Sequence, residues 1–315
     1  MEYSKSLIPI LFYASLAWGE LPLLPPVVRQ PVVVSCGEGV PVSQLPWRWM
    51  TWNLQWFPGH LPHSSPTVKD QHIQSVGMLF KKIRPQVGLL QEVLDSADLE
   101  RASSGYPWKV ITNFQRAGDE DEKLPPQNVA MISQWPWKEV WEVDFDRLPL
   151  TPDRPVRGFL GVKFQDDQGQ NLTVYGIHLK SNRGGRDSSA KRRERAMDYL
   201  RWDWQKRGLD PKKNLMLVAG DFNCSTRNPE FSEGTIRNLI GEGWALADED
   251  IGWPEGATVK ADPRGRFPAS DFDHFLLSPG LVRFLGVKKQ DVKIFSKGEI
   301  PSDHYPVELL LSLKW

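Results

Sequence analysis

Cysteine is nearly absent from this chain: two residues in 315, Cys36 and Cys224. That excludes a thiolate metal framework and a fold stapled by many disulfides. Nothing in the spacing of the two requires them to pair, so two unpaired thiols are expected. No apolar run reaches the roughly 20 residues of a membrane span. Neither sign of charge is in excess, since 39 Lys and Arg offset 39 Asp and Glu. A polyanion or an anionic membrane would therefore have to be attracted by a local patch rather than by the whole chain. Internal repeats and long low-complexity tracts are also missing. What remains, 40% hydrophobic and 25% charged residues over 315, is the composition of a soluble globular protein with enough chain for one large core.

The N-terminus carries the apolar stretch Leu7–Trp18 behind Lys5, followed by small residues around Ala17-Trp18-Gly19. This pattern predicts a secretory signal peptide over 1–19 and a secreted or periplasmic monomer with no stable membrane association after cleavage. From Glu20 to Pro46 the chain is rich in Pro and Val without a sustained period, which predicts an extended linker and a folded domain over 47–315. The acidic run Asp119–Glu122 beside Pro125-Pro126 reads as a solvated loop.

Within the domain, short apolar runs bounded by Gly, Pro or Asp predict strands over Trp47–Leu54, Val87–Gln91, Lys109–Thr112, Val129–Ser133, Phe159–Phe164, Thr173–His178, Leu215–Ala219, His274–Leu277 and Val307–Leu311. Helices are predicted over Val68–Ile83, Ser189–Lys206 and Gly234–Gly241; Ala196, Met197, Leu200 and Trp204 recur at helical spacing in the second, with Asp187 or Ser188 as its cap. Strands and helices mixed in this way are compatible with several α/β or α+β layer arrangements, including two packed sheets with helices outside.

Polar residues gather at the ends of these strands. In order they are Asn53 in Thr51-Trp52-Asn53, Glu92 after Leu90-Gln91, His178 in Ile177-His178-Leu179-Lys180-Ser181, Asp221 and Asn223 in Gly220-Asp221-Phe222-Asn223, Asp273-His274, and Asp303-His304 in Pro301-Ser302-Asp303-His304-Tyr305-Pro306-Val307. Paired carboxylates, amides and imidazoles of this kind can hold a divalent metal and activate water.

The six motifs in this order resemble the endonuclease/exonuclease/phosphatase superfamily of DNase I-like phosphoesterases, over roughly Trp47 to the C-terminus. The resemblance implies a four-layer α/β sandwich, two mainly antiparallel β-sheets flanked by helices, with the site at one end between the sheets. It also implies roles. Glu92 is the principal metal ligand, with Asn53 and Asp303 beside it, and an oxygen-rich set of this kind favours Mg²⁺ or Mn²⁺ over zinc. Asp221 orients or deprotonates the attacking water and Asn223 stabilises developing charge. Asp273 fixes the tautomer of His304, which contacts the phosphate or shares the acid–base work. His178 donates to the phosphate or protonates the leaving oxygen. Its carboxylate partner in DNase I-like members has no counterpart near Val129–Ser133, where Gln127 and Asn128 stand instead. Arg157, with Arg154 close behind, Lys180 and Thr258 are candidate phosphate contacts.

The substrate is less closely specified. Lys180–Arg195 holds seven cationic against two acidic side chains, a pattern that can track a nucleic-acid backbone or lie on the solvated face of a helix. Trp52 and Trp56 lie near the first motif, where they could stack on bases or pack in the core. The leading expectation is a secreted endonuclease acting on DNA or RNA. Phosphomonoester or phospholipid hydrolysis, and a binding protein of this fold without catalysis, stay open as alternatives.

Overall fold

The computed structural model describes residues 24–38, 47–115, 124–265, 267–286 and 290–311. The predicted signal peptide and the acidic run Asp119–Glu122 lie outside the described residues. In chain order the elements are β1 (Val27–Arg29), β2 (Val32–Cys36), β3 (Trp47–Phe57), α1 (Pro66–Ile83), β4 (Val87–Val93), α2 (Ser96–Ala102), β5 (Trp108–Ile111), β6 (Asn128–Ser133), β7 (Glu139–Asp144), β8 (Phe159–Gln165), β9 (Asn171–His178), α3 (Arg186–Lys206), β10 (Leu215–Asp221), α4 (Gly234–Gly241), β11 (Ala245–Leu246), β12 (Asp273–Leu277), α5 (Pro279–Leu285), β13 (Asp291–Ile294) and β14 (Val307–Leu311). Among the described residues no helix is long and apolar enough to cross a membrane.

The strands form two seven-stranded sheets, ordered β1-β7-β8-β9-β10-β12-β11 and β13-β14-β3-β4-β6-β5-β2. Each is antiparallel except for one central parallel pair, β9 with β10 and β3 with β4. Central strands buried on both faces read as continuous apolar runs. One set of alternate residues, including Trp47, Trp49, Leu89, Met131, Val174, Leu217, Phe275 and Leu309, meets between the sheets. The opposite set on β9, β10 and β12 packs against Ala196, Met197, Leu200 and Trp204 of α3 and Ile236 of α4. Met50, Trp52, Leu90 and Ile132 of the other sheet pack against Ile73, Val76 and Phe80 of α1 and Leu99 of α2. Helix, sheet, sheet, helix: the expected four-layer sandwich is the fold.

Several local expectations change. The supposed linker supplies both outer strands on one side, β1 pairing with β7 of one sheet and β2 with β5 of the other. Residues Val27–Cys36 are therefore part of the sandwich, and Gln30-Pro31 lies between its two layers. Helix α3 begins earlier than predicted, at a Gly185 N-cap with no side-chain cap, so neither Asp187 nor Ser188 has that role. Helix α1 starts as sequence rules dictate, with Ser65 accepting from Val68 N and Pro66 at the first turn. Cys36 is exposed, Cys224 is buried, and both are free.

Candidate active site

Parallel pairing at the centre of each sheet brings several strand ends to one edge. Asp221, the last residue of β10, is level with His178 at the end of β9 and with Asp273 at the start of β12. In the other sheet, Asn53 of β3 is level with Gln91 of β4. The sheets meet at Asn53, whose Nδ2 donates to Asp221 Oδ2 (3.0 Å) and to Glu92 Oε1 (3.1 Å).

The backbone is irregular here. Glu92 and Asn223 have φ of 61° and 52°, conformations that few non-glycine residues adopt outside functional sites. The pairing register slips on both sides of Glu92, a bulge that re-aims its side chain. Its Oε2 accepts from Trp56 N (2.8 Å). Gly220 has φ 147°, and a Cβ there would stand 2.0 Å from Ile177 O, so only glycine allows β10 to approach β9 this closely.

His304 is fixed from three sides. Ser302 Oγ accepts from His304 N (3.0 Å) while donating to Asn53 O (2.7 Å), and Trp52 Nε1 donates to His304 O (3.1 Å). Trp52 is thus a packing residue rather than a base-stacking one. His304 Nδ1 donates to Asp273 Oδ2 (2.7 Å), leaving Nε2 facing Asp221 Oδ2 at 3.9 Å. Thr258 Oγ1 donates to the same Asp273 oxygen (2.8 Å) and accepts from Phe272 N and Asp273 N. Thr258 therefore positions Asp273 and is not a phosphate contact.

Burial disfavours charge on His304, but the carboxylates of Asp273, Asp221 and Asp303 outweigh it and hold the imidazole well above its usual range. Burial, with the charge of Asp273 added, pushes Asp221 up to about 7 against the opposing pull of His304. A proton is thus readily available between the two near neutrality. His178 differs: burial, then the charges of Arg157, His304 and Lys180, hold it well below the usual range. Its Nε2 is 3.6 Å from Asp221 and 3.7 Å from Glu92, whereas buried Nδ1 has no partner. A neutral ring protonated at Nε2 fits these surroundings.

Neither residue proposed as a partner of His178 reaches it. Gln127 accepts from Arg157 Nη2, and Asn128 Oδ1 accepts from Thr112 Oγ1 and Phe114 N. Arg157 is buried and also donates to Leu179 O (3.0 Å), so it forms the wall behind Glu92 and His178 instead of presenting a free guanidinium to phosphate. Lys180 is buried and donates to Arg183 O (2.8 Å) and Ser181 O. It shapes its own loop.

Asp221 and Asn223, two positions apart, do not lie on one face of an extended segment, because Asn223 has φ 52°. Asn223 N donates to Asp221 Oδ1 (2.8 Å), closing a turn with the Asp221 side chain, while Asn223 Nδ2 donates to Leu179 O (3.1 Å) just beyond β9. Two anchors of this turn were missed from sequence. Buried Arg193 pairs with Glu233 (2.6 Å) and holds Asn182 Oδ1 (3.0 Å), while Asn182 Nδ2 donates to Asn223 O (3.0 Å). Asp271 accepts from Ser225, Thr226 and Arg227, and Arg227 also pairs with Asp248 (2.9 Å). An Arg or Asp in a loop gives no sequence signal of such distant partners.

That second network buries His274 between Asp248, 3.3 Å from Nδ1, and Asp271 O, 2.8 Å from Nε2. Burial opposes its charge, yet Asp248 and then Asp271 raise it to about 9 from an ordinary 6.5. A raised histidine adds stability that is fully present below its unfolded value and disappears as pH rises through the folded one, here roughly 3 kcal/mol between pH 6.5 and 9. Urea unfolding across that range should show this decline. His304 contributes in the same direction, and His274→Gln should remove the part belonging to His274. An unchanged pH dependence in the variant would show that His274 is neutral.

Oxygen ligands dominate the remaining groups. Asp221, Asp273 and His304 bring ligand atoms within 4.8 Å of one another, and buried Asp273 Oδ1 has no hydrogen-bond partner. Burial, then the charge of exposed Asp303, raises Glu92. Clustered, undercompensated carboxylates fit a divalent cation. The buried Asp221, Asp273 and His304 cluster could bind one, although it was not the trio expected as ligands.

A family model described as the Endonuclease/Exonuclease/phosphatase family matches residues 50–304. No curated protein sequence matches the chain. Among solved structures, an endonuclease/exonuclease/phosphatase from Beutenbergia cavernae aligns with TM-score 0.62 and 17% identity, covering 85% of this chain and 72% of that one. Truncated TDP2 from Caenorhabditis elegans gives 0.57 and 18%, covering 84% and 96%. Sphingomyelinase C from Streptomyces griseocarneus gives 0.56 and 19%, covering 84% and 99%. At these identities the structural likeness establishes the fold alone.

Proposed function

The chain belongs to the endonuclease/exonuclease/phosphatase family, whose model spans most of it, and from that premise we propose a secreted nuclease that hydrolyses phosphodiesters of DNA or RNA with Mg²⁺ or Mn²⁺. Membership makes it a phosphoesterase; the choice of nucleic acid rests on one observation. Arg183, Arg186 and Lys191 are exposed at the start of α3, on the stretch that reaches the catalytic turn through Asn182 and Asn223. Arg193 and Arg195 pair with Glu233 and with Asp153 and Asp198, and Lys180 binds carbonyls, so the cationic patch is smaller than the sequence suggests. Its exposed part still adjoins the site. A substrate carrying charges beyond the scissile phosphate would use it.

Glu92 and Asp303, with Asn53, would hold the metal: burial and the charge of Asp303 raise Glu92, and a divalent cation beside both carboxylates would relieve that repulsion. When bound, such a cation polarises the phosphate and stabilises charge on its oxygens. Asp221, pushed up to about 7, can take a proton from water held beside Asn53. His304 Nε2, its opposite nitrogen fixed by Asp273, can donate to a phosphate oxygen. His178, kept neutral, can hydrogen-bond from Nε2 without competing for the cation.

Purified protein incubated with supercoiled plasmid and Mg²⁺ or Mn²⁺ should nick it, and EDTA should abolish nicking. Absence of nicking with turnover of a small phosphodiester would turn the assignment to phospholipid or phosphomonoester substrates. Absence of both activities, together with no calorimetric metal binding, would favour the non-catalytic alternative.

A further inference from the structure

Beyond Asn53 the chain enters a segment held rigidly at the mouth of the site. Gln55, Trp56 and His60 have φ of 55°, 49° and 70°, and residues in such conformations persist only where their surroundings impose them. Those constraints are visible. Gln55 N donates to Asn53 Oδ1 (2.9 Å), Gln55 Oε1 accepts from Asp303 N (3.2 Å), and Gly59 N donates to His72 Nδ1 (2.8 Å). His72 is buried, and its other nitrogen donates to Pro301 O (2.8 Å). Both nitrogens of that ring are therefore occupied within the fold.

His60 lies flat on His72, with ring centres 3.8 Å apart and planes 19° from parallel. It is half-buried, and neither of its nitrogens has a hydrogen-bond partner among the described residues. The charges of Asp303 and Lys260 both act on it. Lys260 is held by the carbonyls of Ile300 and Ser302, while its N donates to Asp303 O (2.8 Å). His60, through His72 and Pro301 O, and Lys260, through the carbonyls of Ile300, Ser302 and Asp303, are thus anchored to the same short segment, the one that ends in Asp303.

We infer that His60 and Lys260 form a subsite for a second anionic group, the phosphate neighbouring the one that is cleaved. This rests on the phosphoester reading of the site and narrows it. A nucleic-acid strand carries such a neighbour, whereas a phosphocholine ester presents a cation there. His60 suits the role because it is preorganised by stacking, with its donor unused, so binding requires little ordering of the side chain. If its only role were to cover His72, any flat ring would serve.

Calorimetric titration in Mg²⁺ tests this without requiring turnover, using thymidine 3′,5′-bisphosphate against thymidine 5′-monophosphate. The parent protein should bind the bisphosphate about tenfold more tightly, as expected for one hydrogen bond to a charged group. In His60→Phe, which keeps a stacked ring but no donor, that preference should fall to about twofold or less, and His60→Asn should recover part of it. Equal affinities in the parent, or a preference unaltered in His60→Phe, would overturn the subsite. Failure of plasmid nicking would overturn the nuclease assignment separately, because the affinity ratio is measured whether or not nucleic acid is cleaved.

Discussion

Replacing His304 by alanine is expected to lower kcat by about 10² to 10⁴, the range that positioned acid–base or hydrogen-bond catalysis supplies. The side chain has one nitrogen on Asp273 and the other 3.9 Å from Asp221, so alanine removes both the donor aimed into the site and the positive charge that keeps Asp221 from rising further. Asp273→Asn should cause a comparable loss, because an amide can present its NH₂ to Nδ1 and reverse the tautomer. The unfolding midpoint should be measured beside activity. A variant that folds and retains activity within about threefold of the parent would show that His304 is not part of the machinery.

The catalytic strands were legible because their physics is local. Leu215–Asp221 is apolar up to its terminal Asp221, and Val87–Val93 is apolar up to Gln91-Glu92 near its end, which is how a strand buried on both faces delivers a side chain to a sheet edge. Helices α2 and α5, seven residues each, are too short to display a helical period. Strand β7 escaped notice for another reason. Its buried Glu142 and Asp144 pair with Arg29, more than a hundred positions earlier, and charges in a short run read as solvent-facing until their partner is known. Thr258, Arg157 and Arg193 follow the same rule. Each looked like a ligand-binding or surface residue, and each proved to be fastened to another loop of the protein. Residue types and order identified the site, but not which of its polar groups were already occupied.

Arg29→Ala is expected to destabilise the protein by about 3 to 5 kcal/mol, because it leaves the buried carboxylates of Glu142 and Asp144 without their partner, although Arg29 lies in the stretch that sequence alone marks as a linker. Its guanidinium binds Glu142 and Asp144 (2.7 Å) and also donates to Asn113 O, joining β1 and β7 of one sheet to the loop that follows β5 of the other. Glu142 is fully buried, and burial already raises both carboxyl groups, with Arg29 and the N–H of Asn113 restraining Glu142. Without Arg29 both should rise further. A carboxyl raised on folding contributes its stability below its unfolded pKa and loses it as pH climbs through the folded one. The defect of Arg29→Ala should therefore be smaller near pH 5 than at pH 8, and Glu142→Gln added to it should recover part of the loss. Urea unfolding at the two pH values measures this; a deficit below about 1 kcal/mol at pH 8 would mean that the N-terminal strands are attached to the sandwich without supporting it. A deficit of the expected size, growing with pH, would make residues 27–36 part of the fold that holds the two halves of the active site together.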